Sequence, residues 1–144
     1  MAKTIPLDVA DLTAEGVDVA LALIAGLPDG ASTDWAVIGP QLEAHRFHVQ
    51  TDDEAGPRWE VSTADFTYSA QDAALPRAVA RALLVKHVVE RKGQRFVLRL
   101  PFAKAKTLFG KDPARAAVDV AVLVQNISDD DTVELELTSM WEDL

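Results

Sequence analysis

The residue types able to do chemistry are few, and most of them are aromatic or arginine. Trp35, Trp59, Arg77 and Arg81 form the one constellation with a recognisable use. Aromatic faces stack bases, and an arginine fork reads phosphate or carboxylate. A fold that gathers these four would hold a small nucleotide. The plainer expectation is that the tryptophans anchor the core and the arginines sit on its rim or pair with acids. The histidines are three: His45 and His48, spaced i, i+3, and His87 in a helical pattern. No third ligand is fixed by spacing and no HExxH occurs, so no metal site is expected. Nucleophile signatures such as GxSxG and SxxK are absent, as are cysteine and the phosphate-cradling glycine motifs. Asp129-Asp130-Asp131 lacks the alternation and glycine of a calcium loop and reads as a solvated turn. No catalytic residue, metal or cofactor is therefore expected, and the chain is read as not an enzyme.

The elements that must position these residues follow from length and pattern. The 144 residues, 49% of them apolar, suit one domain with a core that needs no disulfide. MAKTIPLDVADL meets Asp8 and Asp11 before any long apolar run, which does not fit a signal peptide, and Val19 to Pro28 is too short to span a membrane. A cytoplasmic protein is expected. Net charge is −9, distributed as −8 over residues 1–56, +7 over 57–116 and −8 over 117–144. Such blocks either neutralise one another within the fold or steer a partner.

Residues Thr4 to Leu12 read as a strand. Thr13 reads as the cap of a helix over Ala14 to Leu27, with Val17, Ala20, Leu21 and Ile24 on its inner face and Pro28-Asp29-Gly30 as its stop. Ser32, Thr33 and Asp34 are caps for a second helix ending near His45, and Gly39-Pro40 interrupts it. If Gly39 is the cap instead, Pro40 falls at the first helical position. Arg46 to Gln50 and Arg58 to Phe66 read as a hairpin. Asp72 and Pro76 open a third helix running to about Lys92, with Gly93 as its stop. Its apolar residues (Leu75, Ala78, Ala82, Val85 and Val89, with Leu84 and Val88 elsewhere on the wheel) lie on more than one side, which predicts a central helix or a subunit contact. Arg95 to Leu100 reads as a strand. Ala103 to Gly110 is ambiguous. Val118 to Val124 and Val133 to Leu137 both alternate and predict a C-terminal hairpin, a helix from Asp112-Pro113 being the competing reading for residues 111–126. The expected architecture is α+β: an antiparallel sheet, two or three packed helices and a C-terminal β-hairpin.

Four segments in order resemble one family. Ser32 to Glu43, STDWAVIGPQLE, is similar to the DW…GP…E segment of the NinX-like phage proteins. Leu12-Thr13 followed by Val17 to Ala22 resembles their opening helix, Trp59-Glu60 their strand tryptophan, and Leu75 to Ala82 their late PLxAAxRA helix, with its first two residues reversed here. Val19 stands where the family often has Trp. The resemblance covers roughly residues 5–100 and leaves 102–144 as an extension. It implies a phage or prophage accessory protein in the bacterial cytoplasm, with matched positions Asp18, Asp34, Trp35, Gly39, Pro40, Glu43, Trp59 and Arg81.

These observations support a non-enzymatic accessory protein that binds and modulates a host protein, with counter-defence as one setting. Asp34, Trp35, Glu43, Trp59, Arg77 and Arg81 are its candidate binding residues. The alternatives are a sponge for a small nucleotide signal and an acidic DNA mimic. Nucleic acid itself is not an expected partner, a membrane is not expected, and a homo-oligomer is compatible with the doubly apolar helix.

Overall fold

The computed structural model describes residues 3–52, 58–90, 94–108 and 128–139. Its chain is α+β, as its patterns predict. The third helix, α3 (Leu75–Val89), is the centre: every residue from Ala78 to Val85 is buried, as is Val88. A helix apolar on several sides needs cover on several sides. Here α1 (Ala14–Ala25), α2 (Trp35–Ala44) and two sheets supply it.

One sheet is antiparallel, β2 (His48–Asp52), β3 (Arg58–Ser62) and β4 (Ser69–Asp72), in that order. The other has β6 (Thr132–Thr138) between β1 (Lys3–Asp8), parallel to it, and β5 (Val97–Pro101), antiparallel. The expected alternation in β6 holds: Val133, Leu135 and Leu137 are buried. The intervening Glu134 and Glu136 take Arg99 of β5 and Arg95 just before it, each at 2.9 Å. Lys106 reaches Asp129 at 2.8 Å, and Lys104 pairs with Glu15. In these pairs the basic middle of the chain meets its acidic ends. The first half of the expected C-terminal hairpin, with the strand-or-helix question over 111–126, lies outside the described residues, as does Gly93.

Several boundaries differ from expectation for local reasons. The first strand stops at Asp8, whose carboxylate accepts from Ala10 N at 2.8 Å and turns the chain into a 3-10 turn, Val9–Asp11. Helix α1 is capped by Thr13 as expected, but ends at Gly26 (φ 66°), before the Pro28-Asp29-Gly30 stop. Strand β3 ends at Ser62. Residues 63–68 form a turn closed by Thr63 N to Tyr68 O at 2.9 Å, and β4 follows, a strand too short and polar to announce itself. Asp72 ends β4 rather than capping α3, whose cap position is Ala74. The ambiguous stretch contains helix α4 (Phe102–Leu108). Gly16 lets α1 approach it, because a Cβ there would run into the Leu108 carbonyl.

Candidate functional site

Asp34 is the cap of α2: its carboxylate accepts from Ala36 N at 3.0 Å. Asp18 of α1 fixes the approach by accepting from Ser32 N at 2.9 Å. Helix α2 then runs straight through Gly39-Pro40, so Gly39 is not a cap. Pro40 has no N–H to offer the Ala36 carbonyl, a cost borne on the exposed side of the helix, where both residues face solvent. The reason for glycine at 39 is the residue one turn earlier. A Cβ there would stand 3.2 Å from Trp35 Nε1 and 3.4 Å from its Cε2. The indole lies across the helix on the bare Gly39 backbone, its other side in solvent, with 48% of the residue exposed. Trp35 is thus not a core anchor.

The helix ends in a Schellman arrangement. Arg46 N donates to Glu43 O (3.2 Å) and Phe47 N to Leu42 O (3.1 Å). The position that glycine usually fills is Arg46, at φ 53°. Trp35, Gly39, Glu43, Arg46, Phe47 and His48 are among the residues lining an open groove of about 760 Å³ along this face. Neither Glu43 nor Arg46 makes an ion pair among the described residues. His48 extends the groove. Its ring stacks on Phe66 at 4.2 Å between centroids, and its Nε2 lies 3.2 Å from Ala64 O. Phe66 is 66% exposed at φ 59°, an unusual backbone for a bulky residue. Its turn is held by Asp65, which accepts from Thr63 Oγ1 (2.8 Å) and Thr67 N (3.0 Å). Hydrogen bonding from the Thr67 side chain first, then from Thr63 and the Thr67 backbone, lowers the Asp65 carboxyl to about 2.

The other predicted residues gather elsewhere. Trp59 lies opposite Asp72 in the β3–β4 register and packs against the core. Asp72 accepts from Arg81 Nε at 2.8 Å and Arg77 Nη1 at 3.4 Å, and from Ala74 N at 2.9 Å. Burial pushes the Asp72 carboxyl up, but the Ala74 N–H and the two guanidiniums outweigh it and hold the group below its ordinary range. Arg81 is 5% exposed and also donates to the Val9 and Ala10 carbonyls (3.4 and 3.5 Å), tying α3 to the turn after β1. Arg77 keeps its Nε buried without a partner among the described residues. The groove lining holds Trp35 and Glu43 but not Trp59, Arg77 or Arg81, so the structure divides the candidate set in two.

The histidines also regroup. His45 and His48 face different neighbours. His45 Nδ1 takes Lys86 Nζ at 2.9 Å, and its ring stacks on Phe47 (5.4 Å) and meets His87 edge-on (6.1 Å). Burial lowers the affinity of both rings for a proton, and Lys86 lowers it further. Among the described residues no three His, Asp or Glu side chains form a group that could hold a metal. Arg46, Phe47 and His48 are groove residues that sequence reasoning missed, as is Phe66, which stacks on His48 beside the groove. The signal for Arg46 was a helix ending with no glycine after it.

No family model, no curated protein and no solved structure matches the chain. No helix among the described residues is long and apolar enough to cross a membrane.

Proposed function

We propose that this chain is a phage or prophage accessory protein of the NinX-like kind, which catalyses no reaction and acts in the bacterial cytoplasm by binding and modulating a host protein, as in counter-defence. The observation that carries this reading is Trp35, half in solvent and laid flat on Gly39 beside an open groove. Tryptophan and arginine dominate binding hot spots, and a side chain already held in place loses little entropy on binding. Phe66, exposed on an unfavourable backbone at the end of the same surface, adds to it. The biological setting is what the resemblance of its four ordered segments to NinX-like proteins implies. Immobilised protein should retain a stoichiometric host protein from bacterial lysate at moderate salt, and the Trp35→Ala variant should not. Equal retention by both would remove the groove from the function.

The nucleotide-binding reading keeps one observation in its favour: Trp35 and Arg46 line the same groove, an aromatic face with a guanidinium. Against it, Glu43 stands in that groove without an ion-pair partner among the described residues, and the chain carries −9. A thermal-shift screen with cyclic and ADP-ribose-type nucleotides separates the two, since a ligand that binds only the folded state raises the melting temperature.

A further inference from the structure

We infer that the groove of α2 receives an isolated arginine of a partner protein, its guanidinium on the Trp35 indole and within reach of the Glu43 carboxylate. The inference rests on the host-protein reading and adds the chemistry of the contact. Trp35, Gly39 and Glu43 follow one another at i, i+4 and i+8, so successive helical turns carry the indole, its glycine bed and a carboxylate, about 6 Å per step. Nearly half of Trp35 is exposed, so indole surface beyond the part that meets Gly39 is available to a partner. A cation over the face of tryptophan is attracted by the ring quadrupole. A guanidinium does this as a flat stack while its N–H fork still points at an acid, which a lysine ammonium cannot do.

Charge complementarity selects the cation. Glu43 has no basic partner among the described residues, and Asp34 stands exposed at the start of the same helix. The whole chain is at −9, which favours approach of a basic segment. Arg46, which lines the same groove, repels a run of basic residues and restricts the fit to a single one.

The probe is acetyl-Gly-Arg-Gly-amide, titrated into the 15N-labelled full chain, with the Lys and Glu tripeptides as comparisons. The Trp35 indole N–H, identified by its loss in Trp35→Phe, and the Gly39 amide should shift saturably with the arginine peptide. The lysine peptide should bind more weakly and the glutamate peptide not at all. Glu43→Gln should weaken the arginine peptide about tenfold, the scale of one lost charge-assisted hydrogen bond. Gly39→Ala, which displaces the indole while adding a better helix former, should weaken it without lowering the melting temperature. Shifts that are absent, equal for all three peptides or unchanged by Glu43→Gln overturn the inference. If lysate capture still depends on Trp35 in that case, the host-protein reading stands and only the arginine falls. If the arginine peptide binds but capture ignores Trp35, the groove's chemistry stands and the host-protein reading falls.

Discussion

Two places in this molecule combine a tryptophan, arginine and a carboxylate, and they have opposite characters. Around Asp72, Trp59 packs on the core, Arg81 is buried, and carboxylate and guanidiniums bind one another. Along α2, Trp35 lies open, and Glu43 and Arg46 share a groove without a bond between them. The same residue types build an internal clamp in one place and a surface with unspent valence in the other. Burial decides which: a charge removed from water must be paired within the fold, whereas an exposed one can wait for a partner.

The sharpest break of this contrast is at the clamp. Arg81→Ala leaves Asp72 buried with a weaker partner and frees the Val9 and Ala10 carbonyls. Removing one member of a buried pair costs about 3–5 kcal/mol. Urea unfolding should show a loss of that size. A variant as stable as the parent but unable to bind would move Arg81 to the functional side. The clamp also sets an acid limit. Asp72 titrates below its unfolded value, so its contribution is complete above about pH 4 and is lost as pH falls through the folded value.

At the open place the expectation reverses. Trp35→Ala should change stability by under about 0.5 kcal/mol, as at other surface positions. It should cost about 2 kcal/mol of partner binding, near thirtyfold in Kd. Calorimetric melting and a binding isotherm on the same preparation give both numbers. A large stability loss with intact binding would make Trp35 structural after all.

The two places meet the same titration differently. His45 and His87, between α2 and α3, hold protons less readily than in the unfolded chain, through burial first and Lys86 second. The unfolded chain therefore binds more protons as pH falls below about 6.5, and folding stability declines there while the Asp72 clamp is still intact. Glu90 opposes part of this. Because the His45 ring stacks on Phe47 in the groove lining, groove binding should weaken in the same window. His45→Gln should flatten the stability profile between pH 5 and 7, followed by urea unfolding at each pH; a profile unchanged from the parent's would leave the ring without a role.

The sequence made the helices legible because capping and period are local properties. Thr13 caps where its side chain predicts, Asp34 is the one of the candidate caps that serves α2, and α3 is central as its two apolar faces require. Strand β4 was hidden, since SAQD has no alternation strong enough to mark four residues, and it follows a turn in which Asp65 accepts hydrogen bonds. The division of the candidate residues was not legible either. Whether Arg81 faces water or a carboxylate nine residues earlier depends on how β4 leads into α3, which only the tertiary fold sets. Gly39 is the instructive case. Its neighbour Pro40 suggests a break, yet the helix continues and the missing side chain makes room for Trp35. The i, i+4 spacing of tryptophan and glycine was readable. The meaning of the space was not.

The smallest effect tests whether the groove is maintained at a cost. Arg46 occupies a left-handed position, where a non-glycine residue pays roughly 1–2 kcal/mol and glycine pays only its larger unfolded entropy, about 0.5–1 kcal/mol. The backbone bonds that end α2, Arg46 N to Glu43 O and Phe47 N to Leu42 O, do not involve the side chain. Arg46→Gly should therefore keep them and raise stability by about 0.5–1 kcal/mol, or ~2–4 °C in Tm for a chain of this size. If Arg46 serves the groove, the more stable variant binds its partner less selectively and tolerates basic runs that the parent rejects. A gain in stability with unaltered binding would make the arginine an accident of the helix end. A loss of stability would mean that its side chain belongs with the clamp, among the residues that hold the fold, and the contrast between the two places would have to be redrawn at the C-terminus of α2.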